Sequence, residues 1–325
     1  MAGAEILMTN LLSPIVLAFV LGIVAGLLRS ELELPDAVLK LISIYLLFSI
    51  GITGGQELAK VRFSEISALL VVTAALVVLI PVVSFLVLRR IAGFDAANAA
   101  AVAAHYGSVS TATFFASLSF ARAMDTPAEG YMPAVVALME WGVIVALFLA
   151  RWSMGKESGT LSGRTLFLDT IRGRGILLLT GGMAIGALIG EQGYRQIAPF
   201  YEQLFRGFLM LFLLEMGMTA VRQIRGFAQV GVFMTSFAII SPLVWGAVGV
   251  TLGWSIGLSL GGAFVLGAVS ASASFVDAPA ACRAALPQAN PGIYLTASLG
   301  VTLPFNLVVG IPIFYEDARW LYDCA

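Results

Sequence analysis

Charge is scarce in this chain: aspartate, glutamate, lysine and arginine together make up 11% of its 325 residues, against roughly a quarter in ordinary soluble domains. Hydrophobic residues fill 59% of it and mean hydropathy is +0.96, which together define an integral membrane protein. There is no excess of positive charge either. A formal net charge of -1 and a pI near 5.9 leave no basic face for nucleic acid. Cysteine is limited to Cys282 and Cys324, in no metal-ligand spacing, so no transition-metal site is expected. The amino terminus lacks the basic region and small-residue cleavage site of a signal peptide, and its first apolar run is expected to stay as a membrane helix. No phosphate-binding glycine loop with a following lysine occurs, so an ion gradient is the simpler energy source.

What is abundant is apolar sequence in runs of bilayer length, about 20 residues each. About ten helices are expected, near 11–29, 36–57, 64–90, 94–121, 129–151, 172–190, 199–222, 227–253, 258–285 and 290–315. One long polar stretch, Arg151 to Arg174, divides them five and five. The expected organisation is a first repeat over 1–155, a cytoplasmic linker over 156–171 and a second repeat over 172–325. Lysine and arginine gather on the cytoplasmic side. With the amino terminus outside, the inner loops hold Arg29, Lys40, Arg89, Arg90, Arg151, Lys156, Arg164, Arg172, Arg174, Arg222, Arg225 and Arg283, twelve of eighteen. Both termini then face outward. Five helices per half is an odd number, so homologous halves would enter the membrane with opposite orientation, as an inverted repeat.

Short matches support that repeat. Gly51-Ile-Thr-Gly-Gly55 resembles Gly217-Met-Thr-Ala-Val221, and Gly22 and Gly26 match Gly182 and Gly186 as small-xxx-small faces that let helices approach closely. Two further stretches, His105 to Thr111 and Ser270 to Pro279, carry glycine, hydroxyls and a carboxylate where leucine would fill a plain membrane helix. Each lies in the fourth segment of its half, and paired interruptions of this kind point to a transporter's binding site. If both helices break and cross near the midplane, free N–H groups and the positive helix poles converge there, and an anion can be held without lysine or arginine. Ser108, Ser110 and Thr111 would then meet Ser272 and Ser274.

Glu140, Gly300, Thr302 and Asn306 flank this place. An ionisable Glu140 at membrane depth costs about 2.5 to 3.5 kcal/mol on insertion scales; it is either functional or a partnered carboxyl that fastens two helices. Asp277 is either an ion ligand or a cap for the following half-helix. Hard cations prefer oxygen ligands, and extending this to sodium nominates Ser110, Thr111, Glu140, Asp277 and Asn306. His105 is the single histidine; hydrolysis by His105 with Ser108 or Ser110 lacks a visible orienting acid, so no enzymatic activity is expected.

Ala104-His-Tyr-Gly-Ser-Val-Ser110, Ser272-Ala-Ser-Phe-Val-Asp-Ala-Pro-Ala-Ala281 and Pro287-Gln-Ala-Asn-Pro-Gly-Ile-Tyr-Leu-Thr-Ala-Ser-Leu-Gly300 make the chain resemble the SbtA-type sodium-dependent bicarbonate transporters, from about Pro14 to Tyr315. The resemblance implies a trimeric plasma-membrane symporter that imports bicarbonate with sodium for inorganic carbon uptake, within a CO2-concentrating mechanism. It further implies an elevator device in which helices 3–5 and 8–10 form the moving core and helices 1, 2, 6 and 7 the gate and oligomerisation part, with a PII-like regulator on the cytoplasmic side. Carried over by position, Gly107, Ser108, Ser110, Ser272, Ser274, Gly300 and Thr302 surround the ligands, while Asp277 stands where the family favours a small neutral residue. Transport of another small anion, proton coupling through Glu140 or Asp277, and bicarbonate sensing are the alternatives.

Overall fold

The computed structural model describes residues 3–154, 168, 172–224, 227–276 and 278–324. Most of the expected linker over 156–171, with Lys156 and Arg164, lies outside the described residues, and so does Asp277. Among the described residues every regular element is a helix. The first half runs through α1 (Gly3–Leu11), α2 (Pro14–Leu27), α3 (Asp36–Leu58), α4 (Phe63–Arg90), α5 (Ala96–Gly107), α6 (Thr111–Ala123), α7 (Pro133–Met139) and α8 (Gly142–Met154). The second half comprises α9 (Arg174–Ala198), α10 (Phe205–Ile224), α11 (Phe227–Ser255), α12 (Leu260–Ser270), α13 (Ala278–Ala285), α14 (Pro291–Leu295), α15 (Leu303–Phe305) and α16 (Ile311–Cys324).

Among the described residues, six helical stretches are long and apolar enough to cross a membrane, or seven when α1 and α2, bent by 63°, count as one. Two physical reasons separate this number from the expected ten. The fourth and ninth segments are split into helices too short to span alone, of 12 and 13 residues and of 11 and 8 residues. The sixth and seventh run together from Arg174 to Gln223 as one stretch of 50 residues, joined through a π-helical turn at Pro199–Gln203. Gly190, at φ +61°, interrupts the helical path inside α9 in a conformation open to glycine at little cost.

Glycine decides how the helices pair. In lipid no hydrophobic force draws helices together, so association relies on close van der Waals packing over small residues. α2 lies on α10, where a Cβ added to Gly22 would stand 2.0 Å from the Leu214 carbonyl oxygen. α3 lies on α9, where a Cβ on Gly186 would stand 2.0 Å from the Ile52 carbonyl oxygen. The glycine faces matched in the sequence thus interlock crosswise: Gly22 and Gly26 sit on the Gly217–Val221 stretch, and Gly182 and Gly186 sit on the Gly51–Gly55 stretch. α4 packs on α5 and α8 in the first half, and α11 packs on α12 in the second.

The tenth segment is not the plain helix expected over 290–315. Its backbone widens into π-helical turns at Thr296–Thr302 and Asn306–Gly310, which disturb the regular carbonyl pairing. The buried Asn10 side chain answers one of these carbonyls, donating to Leu307 O at 2.7 Å. α1 thereby belongs to the packing of the last segment.

The glycine contact can be tested cleanly, because alanine is the better helix former by about 1 kcal/mol. Gly186→Ala should lower the yield of monodisperse protein and its melting temperature by several degrees. Gly181→Ala, whose added Cβ meets no atom within 4 Å, should match or exceed the parent. Equal behaviour of the two in detergent gel filtration and thermal melts would remove the α3–α9 approach as a folding determinant.

Candidate substrate and ion site

α5 is built to be buried. From Ala97 to Gly107 all but Asn98 are inside, and small alanines let the helix run through the densest part of the molecule. Asp95 caps its start by accepting the Asn98 N–H at 2.9 Å. Its end is forced at Ser108, whose ψ of 174° is extended. Pro81, inside α4, presses on the break, since a Cβ on Gly107 would meet the proline ring at 2.7 Å. Gly142 receives the Gly107 carbonyl so closely that a Cβ there would stand 1.8 Å from it.

Beyond the break, Ser110 caps α6 by accepting the Thr113 N–H at 3.2 Å, as N-cap serines do. In the second half α12 ends at Ser270, and Ala271 to Val276 are non-helical before α13 begins at Ala278. Both expected interruptions are therefore present, and they touch. The Ser274 N–H donates to the His105 carbonyl at 2.7 Å, and the Ser110 N–H donates to the Ser272 hydroxyl at 2.9 Å. Ser272 passes its own proton to Val269 O at 2.7 Å. Ser108, Ser110, Ser272 and Ser274 are each at most 2% exposed.

Three bonds tie this crossing to the neighbouring segments. Ser108 donates to the Glu140 carboxylate at 2.7 Å, Tyr106 and Thr302 share a hydroxyl bond of 2.7 Å, and Asn306 donates to Ala271 O at 2.8 Å. Thr302 in turn donates to Ala238 O at 2.8 Å, so Tyr106 is the donor in the bond they share. Glu140 is 3% exposed. It occupies the turn between α7 and α8, while Thr302 and Asn306 lie in the π-helical turns of the last segment. Gly300 is buried in the first π-helical turn.

These commitments decide what is left for a ligand. The Thr111 and Ala112 N–H groups, first in α6, donate to nothing among the described residues, and they stand at the positive pole of a 13-residue helix. That is a donor set for an anion. Asn306 Oδ1 and Thr113 Oγ1 are buried without a hydrogen-bond partner, and each is the kind of ligand that a hard cation prefers. The four serines themselves are mostly engaged in holding the crossing. His105 is oriented by its Nδ1 bond to Ala101 O at 2.7 Å and packs on the Tyr294 ring at 4.5 Å; among the described residues no serine bonds to it.

Sequence reasoning did not single out Tyr106, Thr113, Pro81 or Gly142. Tyr106 carried a signal, a phenol beside Gly107 at membrane depth. Gly142 and Pro81 act through tertiary contact that spacing does not encode. In a double-mutant cycle, Tyr106→Phe and Thr302→Val should be non-additive by about 1 kcal/mol, read from unfolding in detergent. Simple additivity would mean that the two hydroxyls do not interact.

A search of curated proteins gives no match for this chain. A family model does match, from residue 14 to residue 319, across both breaks, the Glu140 turn and the π-helical segment. The chain therefore belongs to the Na+-dependent bicarbonate transporter superfamily.

Proposed function

We propose that this protein is a sodium-coupled bicarbonate importer of the plasma membrane working by alternating access. The observation that carries the reading is the pair of mutually bonded helix breaks, Ser110 on Ser272 and Ser274 on His105, in a member of a sodium-dependent bicarbonate transporter family. Bicarbonate would lie at the start of α6, on the Thr111 and Ala112 N–H groups, with Ser108, Ser110, Ser272, Ser274, Gly107, Gly300 and Thr302 around it. Sodium would take oxygen from Ser110, Thr111, Glu140, Asn306 and Asp277. Membership of a transporter family speaks for a carrier rather than an enzyme.

The same reading includes ten membrane segments in two inverted repeats, 1–155 and 172–325, with both termini outside. Crosswise glycine pairing, α2 on α10 and α3 on α9, supports it, because two related halves would exchange equivalent contacts. In an elevator mechanism α4–α8 and α11–α16 form the moving core, and α2, α3, α9 and α10 form the stationary part. A trimer and a PII-like cytoplasmic regulator complete the proposal. A ligand shifts such an equilibrium only by its differential affinity for the two states.

The test is uptake of labelled inorganic carbon into proteoliposomes at fixed pH, with a sodium gradient against a matched potassium gradient. Sodium-dependent uptake resistant to competing small anions is expected. Sodium-dependent uptake of a different anion would change the substrate, dependence on a proton gradient would move the coupling to Glu140 or Asp277, and no transport by folded protein would leave sensing.

Two substitutions follow from the bonding. Ser272→Ala leaves the buried Ser110 N–H unpaired, and Ser108→Ala leaves Glu140 without that donor; an unmade buried bond costs about 1 to 3 kcal/mol. Each should reduce uptake on the order of tenfold with expression intact. Full uptake by both at limiting bicarbonate would take these serines out of the site.

A further inference from the structure

Two cavities lie beside α6, between α3, α6, α7 and the α9–α10 bend. The outer one, about 440 Å³, includes Lys60, Glu57, Glu191 and Arg195. The inner one, about 110 Å³, reaches Phe114, Phe115 and Leu209. Both are lined by Thr53, Leu118, Arg122, Pro133 and Glu202, so the two adjoin. The Phe115 and Phe205 rings, with centroids 4.3 Å apart, pack against each other in the wall of the inner cavity.

The charges lining the two cavities are unevenly neutralised. In the outer cavity Lys60 pairs with Glu57 at 2.6 Å and Arg195 with Glu191 at 2.5 Å. The Glu129 carboxylate accepts the Ser259 N–H at 2.7 Å. The inner cavity carries two guanidinium groups, Arg122 and Arg206, against the single carboxylate of Glu202. Neither arginine forms an ion pair within 4 Å among the described residues. The remaining wall is apolar or hydroxylic, including Ile50, Phe114, Leu118, Ser49 and Ser119. The outer cavity sets Lys60, Arg122 and Arg195 against Glu57, Glu129, Glu191 and Glu202, so the net positive charge is confined to the inner cavity, where a local excess of one sign attracts the opposite charge.

We propose that Arg122 and Arg206 form an entry site that captures a small oxyanion before it reaches the crossing. Guanidinium is suited to this task, since its planar fork matches a planar, carboxylate-like group with two oxygens and stays charged at every working pH. Arg122 stands on the last turn of α6, the helix whose first N–H groups face the crossing. It lies eleven positions after Thr111, which is about 16 Å along the axis. An anion held at the arginines is thus about one helix length from its proposed destination. The inference rests on the bicarbonate reading for the identity of the cargo, but the charge selectivity of the inner cavity can be measured without transport.

Ser119 lines the inner cavity and is a suitable reporter position. In a Cys324→Ser background, which keeps only the buried Cys282, Ser119→Cys is introduced and its modification by anionic sulfonate and cationic ammonium methanethiosulfonates is timed in detergent. Relative to a free thiol, the anionic reagent should be favoured several-fold. Arg122→Gln with Arg206→Gln should abolish the preference, Arg122→Lys should retain it and Glu202→Gln should increase it. Sodium bicarbonate should slow modification more than sodium chloride at equal ionic strength.

A preference unchanged in the double glutamine variant, or no extra protection by bicarbonate, would overturn the entry site. In proteoliposomes Arg122→Gln should raise KM several-fold more than it lowers kcat. If the parent imports no bicarbonate yet shows arginine-dependent selectivity and protection, the entry site stands and the transport reading fails. If it imports bicarbonate without that selectivity, the entry site alone fails.

Discussion

Everything at the centre of this protein depends on one requirement: a backbone N–H or carbonyl buried away from water must find a partner, because leaving it unpaired costs about 1 to 3 kcal/mol. Breaking two helices at membrane depth exposes many such groups at once. Here each break is the other's partner. Ser274 gives its N–H to the His105 carbonyl and Ser110 gives its N–H to the Ser272 hydroxyl, so the two irregular stretches are tolerable only together. The small residues serve this end. Gly142 admits the Gly107 carbonyl, and Gly267 lets α12 lie against α11, which brings chain ends close enough to bond without side chains intervening.

The same economy couples the crossing to its flanks. Ser108 to Glu140, Tyr106 to Thr302 and Asn306 to Ala271 are three bonds leading from the breaks to the fifth and tenth segments. A displacement of either break relative to those segments would strand buried polar groups. The crossing, the Glu140 turn and the π-helical stretch thus form one mechanical unit. The glycine seams of α2 on α10 and α3 on α9 lie outside that set of bonds. In the proposed cycle the crossing and its flanks would therefore move as one body, while the glycine seams hold the remaining helices to one another.

Sequence was informative where composition reports a backbone event. Two hydroxyl- and glycine-rich stretches inside apolar runs betrayed both breaks, because such residues satisfy or expose backbone groups that leucine cannot. The glycine pairs likewise betrayed helix contacts, though not which helix met which. The gaps have equally physical origins. The π-helical turns around Gly300 and Asn306 insert no characteristic residue, and spacing alone reads them as ordinary helix. Tyr106, Pro81 and Gly142 act across long sequence separations, so their roles become visible only when α4, α5 and α8 are placed side by side. Helix count by length and composition fails at the breaks and where α9 runs into α10, for these are the places where the chain abandons a straight apolar cylinder.

The electrostatics of the crossing argue for two ligands rather than one. A helix terminus contributes roughly half an elementary charge, and here Thr111 and Ala112 supply two of its donors. That offsets part of a buried anion's charge but not all of it, and Glu140, held at 3% exposure, adds a negative neighbour when ionised. Moving a carboxylate-sized ion into the interior still costs several kcal/mol per ion after relaxation. A cation bound on oxygen atoms beside the anion would supply the missing compensation, and Asn306 Oδ1 and Thr113 Oγ1, buried and unpartnered, are atoms that it could use. Coupling then needs no separate device in the proposed cycle: the anion is held weakly without the cation, and a cation on neighbouring oxygens lowers the electrostatic cost of burying it. Arginines placed about one helix length away, instead of at the crossing, preserve that dependence, because a fixed guanidinium at the binding point would hold the anion whether or not sodium had arrived.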